Sequence, residues 1–257
     1  QYWKKKLLSL KNKFDISKEK HLRSEEAINS YDFIETLSNS KIQDSIIVTD
    51  MGTSFTCTMQ ALKNSGRNRL ITASGTSSMG FGLPGAIGAY YADPSKNIIC
   101  IAGDGGFQMN LQELQTLVQY NIPIKIFILN NNGYLAISIM QDNLFKGRHI
   151  GSTKETGVSS PDFYKIAKAF GIKTKKYKDL SKLKIDINRI ISSKDSFLVE
   201  LSQQDGQFMM PRLQSSKNSD GSITSGTLEN MWPYLETEEL DIIKKELINE
   251  NSSSVIN

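Results

Sequence analysis

Cysteine and histidine are nearly absent, and that scarcity narrows the chemistry. The two cysteines, Cys57 and Cys100, lie far apart with no CxxC spacing and no histidine beside them. The pattern is that of buried free thiols rather than of a disulfide or a metal site. His21 and His149 are isolated, and neither is assigned a role. No stretch approaches the ~18 consecutive apolar residues of a membrane-spanning helix. The opening QYWKKKLLSLKNKF lacks the apolar core and small-residue cleavage site of a secretory signal. A cytoplasmic chain without a membrane partner is expected. The formal charge of +4, from 31 basic and 27 acidic residues, is carried mostly by the two ends and by Lys173 to Lys184. That is too diffuse for a nucleic-acid surface, and the lysines there read as a solvated face. No internal repeat is present, and at 257 residues the chain is long enough to bury a full core.

What is present is organised around Ile98 to Gly133. Ile98 to Ala102 and Ile124 to Leu129 are short apolar runs, and between them Leu111, Leu114, Leu117 and Val118 recur at helical spacing. Apolar runs of this length predict strands buried on both faces of a parallel sheet with helical crossovers. A right-handed crossover returns the chain so that both strands end at the same edge. Gly103-Asp104-Gly105-Gly106 and Asn130-Asn131-Asn132-Gly133 then share the carboxyl edge, where open α/β sheets bind ligands. One carboxylate from Asp104, one amide oxygen from Asn131 and nearby backbone carbonyls make a hard oxygen site suited to magnesium, which usually shares its ion with phosphate.

The remainder can be placed around that unit. Tyr2 to Phe14 reads as a linker or short surface helix. Ser24-Glu25-Glu26 opens a predicted helix with Ala27, Ile28, Tyr31, Ile34 and Leu37 on one face. Strands are predicted at Ile46 to Thr49, Leu70 to Ala73, Lys173 to Tyr177 (an outer strand) and Phe197 to Leu201. The first ends in Asp50-Met51-Gly52-Thr53-Ser54 before a helix at Thr56 to Leu62, which is either a plain turn or a loop whose N–H and hydroxyl groups face a phosphate. The second runs into GTSSMGFGLPGAIGA, Gly75 to Ala89. Close helix packing on the sheet accounts for Gly85 and Gly88 and leaves Gly75, Gly80 and Gly82 unexplained, so backbone there is expected to approach a ligand. Tyr134 to Gln141, a stretch from Ser160-Pro161-Asp162 to Gly171, and Leu180 to Ile191 are predicted helices, with a polar loop at Asp142 to Gly157. Gln203 to Gly226 reads as loop, Glu238 to Ile248 as a terminal helix and Asn249 to Asn257 as a disordered tail. The resulting expectation is an α/β chain with a parallel sheet of about six strands and helices on both faces: a linker over 1–20, one domain over 21–202 and an extension over 203–257.

Taken together, the strand-end clusters suit a diphosphate held through magnesium with a flat organic group against the glycine-rich loop. A Rossmann-like nucleotide domain is disfavoured, since no GxGxxG follows the first strand with an acidic residue after the second. GDG followed by NN at this spacing resembles the thiamine diphosphate signature. SSMGFGLPGAIGA followed by GDGGFQMNLQELQT is similar to the cofactor-binding domain of acetolactate synthase and its relatives, over roughly residues 20 to 200. The resemblance implies that Asp104, the side chain of Asn131 and the backbone oxygen of Gly133 bind Mg2+. It implies that Gly105, Gly106, Thr53 and Ser54 hold the diphosphate, that Met79 bends the cofactor, and that the carbonyl of Ser77 accepts from its aminopyrimidine. The bend brings the amino group within reach of the thiazolium carbon.

Two departures shape the functional expectation. Acetolactate-forming relatives carry a glycine-methionine pair after the asparagines and a tryptophan further along the helix, where this chain has Leu135, Ala136 and Met140. NNGYLAI, GRHIG and SPDF are closer to acetolactate synthase-like proteins of sugar and surface-polysaccharide gene sets. No catalytic residue is expected here, because the activating glutamate of this family comes from a separate pyrimidine-binding domain or subunit. The chain begins without methionine, so a C-terminal portion or one subunit of a split enzyme is expected, within a homo-oligomer. A flavin, FAD, would enter only through a domain outside these residues. The implied activity is decarboxylation of a 2-keto acid with transfer of the acyl-carbanion equivalent to a carbonyl acceptor; simple decarboxylation and a non-catalytic cofactor-binding subunit are the alternatives.

Overall fold

The computed structural model describes residues 2–15, 27–64, 66–203 and 206–248. Helix α1 (Tyr2–Lys13) leaves Trp3, Leu7 and Leu8 about half exposed. The helix expected to open at Ser24 begins later, as α2 (Ser30–Ser38), because Asn29 caps it: its side chain accepts from the N–H of Tyr31. Ile28 is not helical but bridges Gln203 in parallel, and the Ser24 to Glu26 signal falls outside the described residues. Then follow β1 (Ser45–Thr49), α3 (Thr53–Ala61), β2 (Arg69–Ile71), α4 (Gly82–Ala92), β3 (Asn97–Gly103), α5 (Asp104–Gln108), α6 (Leu114–Tyr120), β4 (Lys125–Asn130) and α7 (Leu135–Phe145). The chain continues through α8 (Phe163–Ala169), β5 (Lys173–Tyr177), α9 (Leu180–Ile191) and β6 (Phe197–Ser202), a short pair β7 (Ser216–Lys217) and β8 (Ile223–Thr224), and α10 (Thr237–Ile248).

Three boundaries differ from the sequence reading in a way that matters. Helix α3 starts at Thr53 rather than Thr56, since Gly52 takes φ 72° and turns the chain directly into the helix. Helix α7 runs on to Phe145, into the stretch read as loop. The 203–226 segment is not all loop, as it contains the antiparallel β7–β8 pair.

β1 to β6 form one sheet in the order β2-β1-β3-β4-β6-β5 with every pairing parallel. Side chains alternate across it. Val48, Cys100, Ala102, Ile126, Ile128 and Leu198 join one cluster with Leu83, Phe107, Leu117 and Phe163 from the helices on that side. On the opposite face Phe127 meets Phe33 of α2 with ring centroids 5.2 Å apart. From β1 the chain moves outward to β2, whereas from β3 it moves the other way to β4. The order therefore reverses between β1 and β3, the position at which open α/β sheets bind ligands beyond the carboxyl ends of their strands.

By internal contacts the chain divides into two compact units, Gln1–Ile139 with His149–Phe208, and Met140–Arg148 with Met209–Asn257. The first holds the six-stranded sheet. In the second, the backbones of Arg212 and Trp232 pair in both directions at 2.9 Å, and the Arg212 guanidinium lies 5.0 Å from the indole centroid.

Candidate functional site

The site is built at the carboxyl ends of β1, β3 and β4. β1 ends in Thr49, and the next residue, Asp50, is 1 % exposed. Its carboxylate is a hub for backbone donors: Oδ1 accepts from the N–H of Met51 at 2.8 Å and of Gly80 at 3.1 Å, and Oδ2 accepts from Gly82 at 2.9 Å. A side chain on Gly106 would place its Cβ 2.5 Å from Asp50 Oδ1. Asp50 thus ties the glycine-rich loop to the end of β1, with the start of α5 packed closely against it. The sequence reading passed over it as part of a turn, although a lone carboxylate directly after a buried apolar strand is the signal that marks such a hub.

Thr53 and Ser54 fall in the first turn of α3, whose leading N–H groups have no partner within the helix, the geometry that favours an anion. The Ser54 hydroxyl itself donates back to the Met51 carbonyl at 3.0 Å. In the next loop Ser77 has φ 51° and its N–H donates to the Ala73 carbonyl at 2.8 Å, which closes a tight turn. Met79 is 37 % exposed. Gly80, with φ 84°, has its carbonyl held by Asn110 Nδ2 at 2.8 Å, and a Cβ there would meet Asn110 and Met109 at 2.9 Å. Gly85 packs its missing side chain against Phe81 and Val48, as close packing on the sheet requires, whereas Gly75 and Gly88 have open space.

Asp104 follows the last residue of β3 and is 1 % exposed. Its Oδ2 accepts from the N–H of Gly133 at 3.1 Å and from the Ser160 hydroxyl. Burial raises its carboxyl above the ordinary aspartate range, opposed by those hydrogen bonds and by backbone N–H groups at the start of α5. The β3–β4 register pairs Gly103 with Leu129, so Asp104 and Asn130 are the next positions along their strands. Asn131 lies one residue further, and its Nδ2 donates to Gln203 Oε1 at 3.4 Å. Asn130 Oδ1 accepts from the N–H of Asn132, which has φ 58°, closing a turn that carries Gly133 back to Asp104. A Cβ on Gly133 would come 2.6 Å from the Ser152 carbonyl, and one on Gly105 would come 2.3 Å from the Tyr134 ring. At Gly133 the obstacle is backbone, whereas at Gly105 it is a side-chain ring.

Of the residues singled out in the sequence, Asp104, Gly105 and Gly133 are brought together by direct contacts, with Gly106 joined to them through α5 and to β1 through Asp50. Thr53 and Ser54, in the first turn of α3, follow β1, and Ser77 and Met79 lie on the loop that follows β2 at the same rim. Leu135, Ala136 and Met140 all fall on α7. Besides Asp50, sequence reasoning missed Glu200 of β6. It is fully buried, and its carboxylate accepts from Asn130 Nδ2 at 2.9 Å, Lys176 Nζ at 2.6 Å and the N–H of Tyr164 at 3.1 Å. An acid inside an apolar strand pattern was the available sign. Among the described residues no three His, Cys, Asp or Glu side chains cluster as a metal site, and no described helix is long and apolar enough to cross a membrane.

Residues 50–201 match the family described as "Thiamine pyrophosphate enzyme, C-terminal TPP binding domain". The acetolactate synthase large subunit of Lactococcus lactis subsp. lactis is 36 % identical over 180 residues, 70 % of this chain and 31 % of that protein. The acetolactate synthase large subunit of Cyanidium caldarium is 36 % identical over 177 residues, 69 % of this chain and 30 % of that protein. The chain spans about a third of the length of these curated relatives. A solved structure, the Rhodococcus jostii RHA1 thiamine diphosphate-dependent 4-hydroxybenzoylformate decarboxylase, superposes with a TM-score of 0.63 at 22 % identity, covering 72 % of this chain and 34 % of that one. At that identity the likeness is one of fold.

Proposed function

Since the chain belongs to the C-terminal TPP-binding domain family of the thiamine pyrophosphate enzymes, we propose that its β1/β3 rim binds thiamine diphosphate through Mg2+ and that the whole protein is an acetolactate synthase-like enzyme acting on a 2-keto acid. The observation that carries this is the Asp104 carboxylate, buried at the point where strand order reverses and tied to Gly133 across the rim. The donor set fits a small hard cation: the carboxylate of Asp104, the amide oxygen of Asn131 and the carbonyl of Gly133 are all oxygens. The space a side chain would take at Gly105 and Gly106 is filled by Tyr134 and Asp50, which fixes the backbone at the start of α5 beside Asp104, where the diphosphate would lie.

Each residue then has a defined task. Asp104, Asn131 and Gly133 hold the metal. Gly105 and Gly106, with the first-turn N–H groups of Thr53 and Ser54, hold the diphosphate oxygens. Met79 shapes the organic half, and the Ser77 carbonyl accepts from its aminopyrimidine. Asp50 keeps the Gly80 and Gly82 backbone in register with that half by gripping both N–H groups. When bound, the cofactor supplies the electron sink for decarboxylation. The glutamate that activates it is contributed by a pyrimidine-binding domain elsewhere in the protein or by a partner subunit.

Titrating thiamine diphosphate with MgCl2 into the full-length protein, or into this chain with its glutamate-bearing partner, should give metal-dependent binding and 2-keto acid consumption. Asp104→Ala combined with Asn131→Ala should abolish both, and normal binding by that double variant sinks the reading. Product analysis with and without a carbonyl acceptor separates carboligation from release of an aldehyde.

A further inference from the structure

An asparagine that ligates a cation must present oxygen, yet its two amide ends are nearly identical in size and shape, and only their hydrogen bonds distinguish them. We propose that Gln207 and Gln203 form an amide relay that sets which end of Asn131 faces the metal. The relay rests on the reading of Asn131 as a ligand and adds two positioning residues to it.

The relay starts from a donor that cannot flip, the backbone N–H of Ser30 at the first position of α2. It donates to Gln207 Oε1 at 2.7 Å, and Gln207 Nε2 correspondingly faces Cys57 Sγ at 3.7 Å. Gln203 Nε2 donates to the same Gln207 oxygen at 3.3 Å, which turns Gln203 Oε1 the other way. That oxygen accepts from Asn131 Nδ2 at 3.4 Å, so the nitrogen of Asn131 is engaged and its oxygen is the opposite end. Reversing Asn131 alone would set two amide oxygens against each other. Gln203 is held in place by its own backbone, whose N–H donates to the Asn130 carbonyl at 2.9 Å and which pairs with Ile28. Gln203 is 5 % exposed and Gln207 2 %, so water does not readily take over either role. The side-chain links at 3.3 and 3.4 Å are long for hydrogen bonds, so their contribution is orientation more than stability.

The test is a double-mutant cycle read by calorimetric titration of MgCl2 into full-length protein saturated with thiamine diphosphate, with apo-protein melting measured alongside. Gln203→Met keeps the volume and removes the acceptor; Mg2+ affinity should fall about 10-fold, the lower range for partners that orient metal ligands. Asn131→Asp carries oxygen at both ends and has no orientation to lose. Adding Gln203→Met to Asn131→Asp should therefore leave affinity unchanged or raise it. Gln207→Met, one link further back, should weaken Mg2+ binding in the same direction and by less, and it stands in if Gln203→Met does not fold. An equal loss in the wild-type and Asn131→Asp backgrounds means general packing and overturns the relay. Unchanged affinity in Gln203→Met overturns the relay while leaving the binding reading intact. Absence of Mg2+ uptake by the wild-type protein with cofactor overturns both.

Discussion

Two neighbouring glycines of the site differ in what a methyl group would strike, and that difference predicts different phenotypes. At Gly133 the obstacle is the Ser152 carbonyl, which is backbone and accepts from the N–H of Tyr134 at 2.8 Å. Gly133→Ala should cost about 1 to 3 kcal/mol, the usual range for overpacking, seen as a lower midpoint in urea with an unchanged slope. At Gly105 the obstacle is the Tyr134 ring, which can swing aside. Gly105→Ala should melt close to wild type yet lose thiamine diphosphate binding in calorimetry. The cysteines offer a separate check. Cys57 and Cys100 are free and fully buried, and burial pushes the Cys57 thiol up to about 12 and that of Cys100 higher still. Neither should react with a thiol reagent at pH 8 until denaturant is added, because the thiolate is the reactive form.

Between elements, the clearest electrostatic link joins α9 to β5. The Tyr177 hydroxyl donates to Asp186 Oδ2 at 2.6 Å, Arg189 reaches Oδ1 at 2.8 Å and Lys175 lies 3.4 Å away. Together, led by Tyr177 and Arg189, they hold the Asp186 carboxyl down to about 2. The folded-state value lies below the ~3.9 of an unfolded aspartate, so the stabilisation is present above that value and is lost as pH falls toward 2. Asp186→Asn should cost about 1 kcal/mol at pH 7, and the gap to wild type should close as melts are taken from pH 4 to pH 2. At this same scale the strands were legible in the sequence, because β-branched apolar runs such as Ile98 to Ala102 have few other ways to be buried. Helix starts were less so. Asn29 and Gly52 act through backbone angles and a single capping bond, while Ser24-Glu25-Glu26 looked like the stronger signal. Asp104 and Asn131 stood out because glycines and asparagines cluster around them. Asp50, Glu200 and Gln203 did not, because the rim partners that define them are 30 or more residues away in the chain and meet them only once the sheet is assembled.

For the molecule as a whole, a ligand that binds only the folded state adds stability by mass action. At 100 times its dissociation constant, thiamine diphosphate with Mg2+ should add about 2.7 kcal/mol, a rise in melting temperature of roughly 5 to 10 °C for a domain of this size. The rise should vanish on chelation with EDTA and in Asp104→Ala, measured on full-length protein. Sheet order also explains why residues so distant in the chain can form one site. β1 and β3 are neighbours although β2 and α4 intervene, so Asp50 reaches Gly80, Gly82 and Gly106 at a single rim.

The outer strands of that sheet carry one more implication. An all-parallel sheet ends in two rows of unpaired backbone, a template for another chain. Here β2 offers only Arg69–Ile71, too little to nucleate pairing. β5 is longer, but Lys173, Lys175 and Lys176 are pinned along it by Asp195, Asp186 and Glu200. A foreign strand adding there would set its own side chains beside this row of lysines, the charged edge that disfavours pairing with another chain.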